Sequence, residues 1–273
     1  MRSVEPLRGL GLLLSLLPRR PLEFRDRLAG YAELGLERLS GVSHSYETAG
    51  WEQALRDLER RLGGVMSILE EPALARVEEE TRRLLGGIRP EDPFRPRWAA
   101  DSLLARCCYL MCRLIQPSLV VETGVAYGVS SAFILSALEQ NGGGKLHSVD
   151  LPPLRREAER FWGIAVPEGL RGGWHLHRGA SGRVLPRLLE ETGPVDLFVH
   201  DSLHTLWNMR REFEILWPLL RAGGALLADD VERNAAFDGL QGHNPAFWRV
   251  VGDREREPLH GRAAPVVFGI AIK

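Results

Sequence analysis

Five acids, Glu122, Asp150, Asp201, Asp229 and Asp230, sit at or just beyond the ends of short apolar runs, and His204 stands three residues past Asp201. A carboxylate at the C-terminal end of a strand can cap the next helix, accept hydrogen bonds from a ribose diol, or ligate a cation. Asp150 is placed for the ribose role. Asp201, Asp229 and Asp230 end consecutive strand-like runs with no cysteine nearby, a hard oxygen set suited to Mg²⁺, with Ca²⁺ and Mn²⁺ as alternatives. An N-cap at Asp201 and a turn acid at Asp230 would account for those two without any metal. His204 falls in the first turn of the following helical pattern, where an ordinary pKa of about 6.5 suits it to take a proton near neutrality. His200 should point to the opposite face of its strand and is read as structural.

These residues need a scaffold that brings strand ends together. The stretch Leu119 to Ser131 reads as strand, tight turn and helix, with Gly124 and Gly128 in the turn. Gly124 permits an unrestricted φ, Gly128 lets a ligand approach the backbone, and the helix start offers free N–H donors. Ala126 stands where a three-glycine dinucleotide turn would carry its middle glycine, which speaks against a nicotinamide oxidoreductase. A tight turn without a ligand is the other reading of this stretch.

From Trp98 onward, helix and short apolar strand alternate. Strands are predicted at Leu119 to Thr123, Lys145 to Asp150, Trp174 to Arg178, Asp196 to His200 and Ala225 to Ala228. Phe247 to Val251 and Pro265 to Ile272 form a closing β-rich pair. Helices are predicted through Cys108, at Ser130 to Glu139, Arg155 to Trp162, Val184 to Glu191 and Leu206 to Leu220, the last with Trp207, Phe213 and Trp217 in the core. The pattern predicts an α/β, doubly wound, mainly parallel Rossmann-like sheet with an antiparallel C-terminal hairpin. Ligands of such sheets bind beyond the carboxyl ends of the strands.

Before Pro96 the periodicity is helical, with amphipathic stretches at Leu22 to Leu39 and Ala54 to Ile68 and no strand. The loop containing His44, Tyr46 and Trp51 reads as packed surface, with ligand contact as the alternative. The proline-punctuated connector from Arg89 to Pro96 divides a helical region, 1–96, from a ligand-binding domain, 97–273.

A chain of 273 residues, 44% hydrophobic and 26% charged, can bury one large core with an appendage. Its formal net charge of -1, with arginines interleaved among glutamates, argues against a nucleic-acid surface. Cys107, Cys108 and Cys112 share one helical pattern and match neither a disulfide framework nor a zinc spacing, so they read as core thiols of a reducing, cytoplasmic setting. Leu10 to Leu17 is too short to span a bilayer and precedes no small-residue cleavage site; a docking helix is the expectation.

Taken in order, Val121-Glu-Thr-Gly-Val-Ala-Tyr-Gly-Val-Ser130, His147-Ser-Val-Asp150, Gly179-Ala-Ser181, Asp196-Leu-Phe-Val-His-Asp201 and Gly223-Gly-Ala-Leu-Leu-Ala-Asp-Asp-Val231 resemble the class I S-adenosylmethionine-dependent methyltransferases. Within them the chain is most similar to the divalent-metal-dependent O-methyltransferases of the catechol and macrocin types. The resemblance implies a seven-stranded sheet and S-adenosylmethionine as cofactor. It implies that Glu122, Gly124, Tyr127, Gly128 and Ser130 surround the methionine end, Asp150 the ribose, Ala180 and Ser181 the adenine, with Asp201 shared between cofactor and metal.

Asp201, Asp229 and Asp230 would ligate Mg²⁺ and His204 would act as base. The histidine there tilts the acceptor toward a sugar-like or natural-product hydroxyl, whereas Ser202 departs from the glycine usual in sugar-type relatives. The N-terminal helices would serve as lid, substrate contact or homo-oligomer interface. A metal-independent methyltransferase and a non-catalytic cofactor-binding scaffold are the competing readings.

Overall fold

The computed structural model describes residues 5–40, 44–89, 100–155, 157–254, 258–259 and 264–273. The expected connector between the helical region and the rest lies almost wholly outside them. Five helices come first: α1 (Glu5–Leu16), α2 (Pro21–Ser40), α3 (Trp51–Leu62), α4 (Val65–Leu69) and α5 (Pro72–Leu85). Pro21 and Pro72 open α2 and α5, where a missing N–H costs nothing. The single helix expected over Ala54 to Ile68 is cut in two, because Gly63 and Gly64 take φ of 71° and 79°. Two successive left-handed residues end one helix and begin another.

The second part runs α6 (Ser102–Ile115), β1 (Leu119–Thr123), α7 (Val129–Gln140), β2 (Lys145–Asp150), β3 (Trp174–Arg178), α8 (Ser181–Thr192), β4 (Val195–His200), α9 (Leu206–Leu219), β5 (Leu220–Asp229), β6 (Phe247–Arg254) and β7 (Pro265–Ile272). Asp101 caps α6 by accepting from the Leu104 amide at 2.8 Å, and Thr205 caps α9 through the Asn208 amide at 3.2 Å.

The strands form one sheet in the order β3-β2-β1-β4-β5-β7-β6. The first five are parallel, and β7 pairs antiparallel with both β5 and β6. The expected hairpin is therefore present with its second strand inserted inside the first. Winding reverses between β1 and β4, which opens a crevice at their carboxyl ends.

Both faces of the sheet are buried, as parallel strands require. Val120 and Leu146 face one core with Leu104, Phe133 and Ile134 of α6 and α7. Val121, Val149 and Phe198 face the other with Leu185 of α8 and Phe213 of α9. Cys107, Cys108 and Cys112 are fully buried in the first core, where burial pushes their thiols up.

Two expectations fail here. The segment expected as a helix over Arg155 to Trp162 forms only a 3₁₀ turn, Ala158–Phe161, because it curls back so that the Trp162 indole donates to Asp150 at 2.9 Å. Trp207, expected in the core, is 63% exposed, whereas Phe213 and Trp217 are buried; it projects from the first turn of α9, before that helix meets the sheet. The loop with His44 and Tyr46 packs as expected: His44 Nε2 lies 2.6 Å from Asp238 Oδ2, and the Tyr46 hydroxyl donates to the Asn234 carbonyl.

Candidate active-site cleft

The carboxyl ends of β1, β2, β4 and β5 open into a cleft of 1210 Å³. At its centre the β1 turn presses against the end of β4. Gly124 has φ 84°, and a Cβ there would stand 1.9 Å from the Asp201 carbonyl oxygen, so only glycine fits. Ala126 sits in the left-handed region and directs its amide at Asp150 Oδ2, 3.1 Å away. Asp150 also accepts from the Leu151 amide and the Trp162 indole. Burial pushes its carboxyl up and these donors oppose the shift.

Behind the turn, Glu122 is fully buried and accepts from three hydroxyls: Ser130 at 2.6 Å, Ser131 at 2.6 Å and Ser148 at 2.7 Å. Tyr127, Gly128 and Ser130 lie on this inner side with it, whereas Gly124, Asp150, Ala180, Ser181 and Asp201 line the cleft. The expected cofactor residues thus divide into a lining group and a buried group that braces the turn from within.

At the other end of the cleft the structure gathers Asp201, His204 and Asp229, each offering a donor atom within 4.8 Å of the others. Burial, joined by mutual repulsion among the strand-end acids, pushes both carboxyls well above the usual range. Burial, with His200 and Arg233 nearby, pushes His204 well below 6.5. Its Nε2 stands 3.8 Å from both Asp201 Oδ1 and Asp230 Oδ2, and its buried Nδ1 has no hydrogen-bond partner. Asp230 flanks the trio but is clasped by Arg233 at 2.5 Å. Adjacent carboxylates that repel one another, beside an imidazole disfavoured as a cation, are a donor set that a divalent cation would satisfy.

Two groups that support the site are assembled by contacts distant in sequence. His200 is buried beneath the cleft, as its strand position predicts, with Nδ1 2.7 Å from Glu212 Oε2. Glu212, in mid-α9, also accepts from Thr123, Ser202 and Asn208. Burial alone would raise its pKa, but His200 and the other donors outweigh it and hold Glu212 at about 2. Ser202 is thereby tied down by Glu212 and by Asn208 Nδ2 at 3.1 Å. Only the register of α9 against β4 reveals this cluster.

The other group is the roof. Helix α2 lies across the strand ends and holds them with a row of acids. Glu23 meets Arg178 at 2.8 Å, Asp26 meets Arg183 at 2.7 Å, Glu33 meets Arg211 at 3.1 Å, and Glu37 accepts from the Leu206 amide at 3.0 Å. Burial works against the charge on Glu23, yet Arg178 and Arg27 hold it below its ordinary value. Tyr31, Leu34 and Arg38 of the same helix line the cleft above the acidic trio.

Comparisons with known proteins agree with this architecture. Residues 121–231 match the family model of a methyltransferase domain. Among solved structures, a cofactor-bound protein from MTB is 19% identical with a TM-score of 0.51, covering 83% of this chain and 98% of that one. The O-methyltransferase TomG from Streptomyces achromogenes, in complex with SAM and involved in tomaymycin synthesis, is 18% identical with a TM-score of 0.50, covering 81% and 96%. A caffeoyl-CoA O-methyltransferase, so described, from Staphylococcus aureus is 13% identical with a TM-score of 0.51, covering 81% and 98%. No curated protein matches the sequence.

Proposed function

We propose, from a stretch that matches the methyltransferase-domain model and a seven-stranded fold, that the chain is an S-adenosylmethionine-dependent O-methyltransferase acting on a hydroxyl of a small molecule, with a divalent cation, Mg²⁺ by donor type, at the strand ends. The observation that supports this best is the convergence of Asp201, His204 and Asp229 at one end of a cleft whose other end holds Asp150. A methyl donor and its acceptor need two adjoining compartments, and α2 lines the cleft that holds both.

In this reading the ribose hydroxyls lie against Asp150, and Ala180 and Ser181 at the start of α8 border the base. Glu122 acts through Ser130 to stiffen the turn beneath the methionine end. Asp201 and Asp229 hold the cation, with His204 and Asp230 beside them; when bound, it supplies Lewis acidity that lowers the acceptor's pKa and fixes its direction. His204 receives the acceptor's proton at Nε2. Transfer from a sulfonium discharges a cation, so a carboxylate-lined site has mainly to orient the partners, and proximity supplies much of the rate.

One reading without the cation has an observation in its favour: Arg233 already neutralises Asp230 at 2.5 Å, leaving His204 to act alone. Calorimetric titration with S-adenosylmethionine, with Mg²⁺ and again with EDTA, followed by a screen of hydroxylated acceptors, tests the proposal. Methyl-donor binding in the micromolar range and turnover abolished by EDTA are expected. Failure to bind the methyl donor under either condition rejects the function, and EDTA-resistant turnover rejects the metal.

A further inference from the structure

Away from the cleft, three imidazoles crowd the free edge of the sheet. β3 is the edge strand, and its sequence Trp174-His-Leu-His-Arg178 alternates so that His175 and His177 share one face. In the β2–β3 register His147 lies opposite His175 on that same face. Leu146 faces the opposite core, and Ser148 bonds Glu122 there. The His147 ring stacks on His175 at 4.6 Å and on His177 at 5.1 Å between centroids. His147 Nδ1 stands 3.0 Å from His177 Nε2.

We propose that His147, His175 and His177 form a binding site for a borderline-soft divalent metal ion, Zn²⁺ by chemistry, that fastens the edge strand β3 to β2. Two strand neighbours at i and i+2 plus a third residue opposite one of them is the smallest arrangement by which a sheet can present three imidazoles to one point. Two nitrogens on a tetrahedral zinc stand roughly 3.3 Å apart, given Zn–N bonds of about 2.0–2.1 Å. The His147–His177 pair therefore already has nearly the required bite, held as a hydrogen bond without the ion. His175 is exposed and stacked on His147, and ligation would turn its ring about the Cα–Cβ bond, out of that stack, to bring in the third nitrogen.

The cluster is also kept in its ligating form. Burial, with His175, His177 and Lys145 beside it, holds His147 down at about 4, and burial with His175 lowers His177. Neutral imidazole is the metal-binding species. Nitrogen donors separate this site from the oxygen-rich group at the strand ends, which suits Mg²⁺. The fourth position falls to water or to Glu191 at the end of α8, whose charge acts on His177. Among the described strands β3 pairs on one side alone, and a metal clamp would hold the edge that borders the base subsite.

The test uses the full chain stripped with a chelator, then titrated with Zn²⁺ by calorimetry and with Co²⁺ by visible absorption. Binding of Zn²⁺ with a raised Tm, and the d–d bands of nitrogen-ligated Co²⁺, are expected in the parent and in Asp229→Asn. Both are expected to be lost when His177→Ala or His175→Ala is added to Asp229→Asn, a background in which the strand-end donor set is broken. The second variant removes an exposed ring and leaves the fold intact by circular dichroism. No Zn²⁺ binding by the parent overturns the proposal. So does binding that survives either histidine substitution in that background, or binding lost in Asp229→Asn alone.

Discussion

At the scale of single residues, the strand-end carboxylates are destabilised until something positive joins them, and that is where their chemistry lies. Asp229→Ala is expected to abolish metal-dependent turnover while S-adenosylmethionine binding, read by calorimetry, stays within about twofold of the parent, a difference well under 1 kcal/mol. Turnover unchanged in that variant would remove Asp229 from the ligand set. His204→Ala should lower kcat by roughly 10²-fold or more, the usual share of a positioned acid or base; full activity would move the proton to another group. Glu212 has a structural task, since four donors depend on it inside the fold. Glu212→Ala takes from His200 and Thr123 their side-chain partner and is expected to cost about 3–5 kcal/mol in urea unfolding.

At the scale of elements, α2 decides access. It has a modest apolar face and touches the sheet through acids, so its hold on the cleft is electrostatic and hydrogen-bonded in character. Glu23 is 5% exposed and serves Arg27 and Arg178 together. Glu23→Ala should loosen the roof over the β3 end and raise the S-adenosylmethionine Kd about tenfold, some 1.4 kcal/mol, with secondary structure unchanged. An unaltered Kd would show that α2 is a bystander to cofactor retention. The alternation after Trp98 made the βα units legible from periodicity. The position of α2 was not legible, because its contacts join residues more than 150 positions apart, as Glu23 and Arg178 are.

At the scale of the whole molecule, partly buried histidines make stability depend on acidity. The His147 pKa is about 4 in the folded chain against 6.5 for the free side chain. Above 6.5 both states are neutral there and no difference arises. Between 6.5 and 4 the unfolded chain takes a proton that the folded chain refuses, so stability falls as pH falls through that window. Lys145, His175 and His177 add to the refusal, and Glu191 acts the other way on His177. Urea midpoints of the metal-free parent should therefore drop from pH 7 to pH 5 by more than those of His147→Gln. Equal slopes would place the acid sensitivity elsewhere.

The linear sequence was enough to determine which residues end strands, because hydrophobic alternation and the turn glycines are local properties. From these the parallel sheet, the direction of its crevice, and the candidacy of Asp150, Asp201, Asp229 and His204 all followed. Tertiary structure alone decided three things. It set Glu122, Tyr127 and Ser130 behind the turn and off the cleft wall, a choice of sheet face and helix rotation. It brought His204 among the acids while Arg233 drew Asp230 aside, a matter of angstroms between side chains. It placed β3 beside β2 in the one register that stacks His147 on His175 and His177, because strand pairing is fixed by packing on both faces of the sheet and has no local signature.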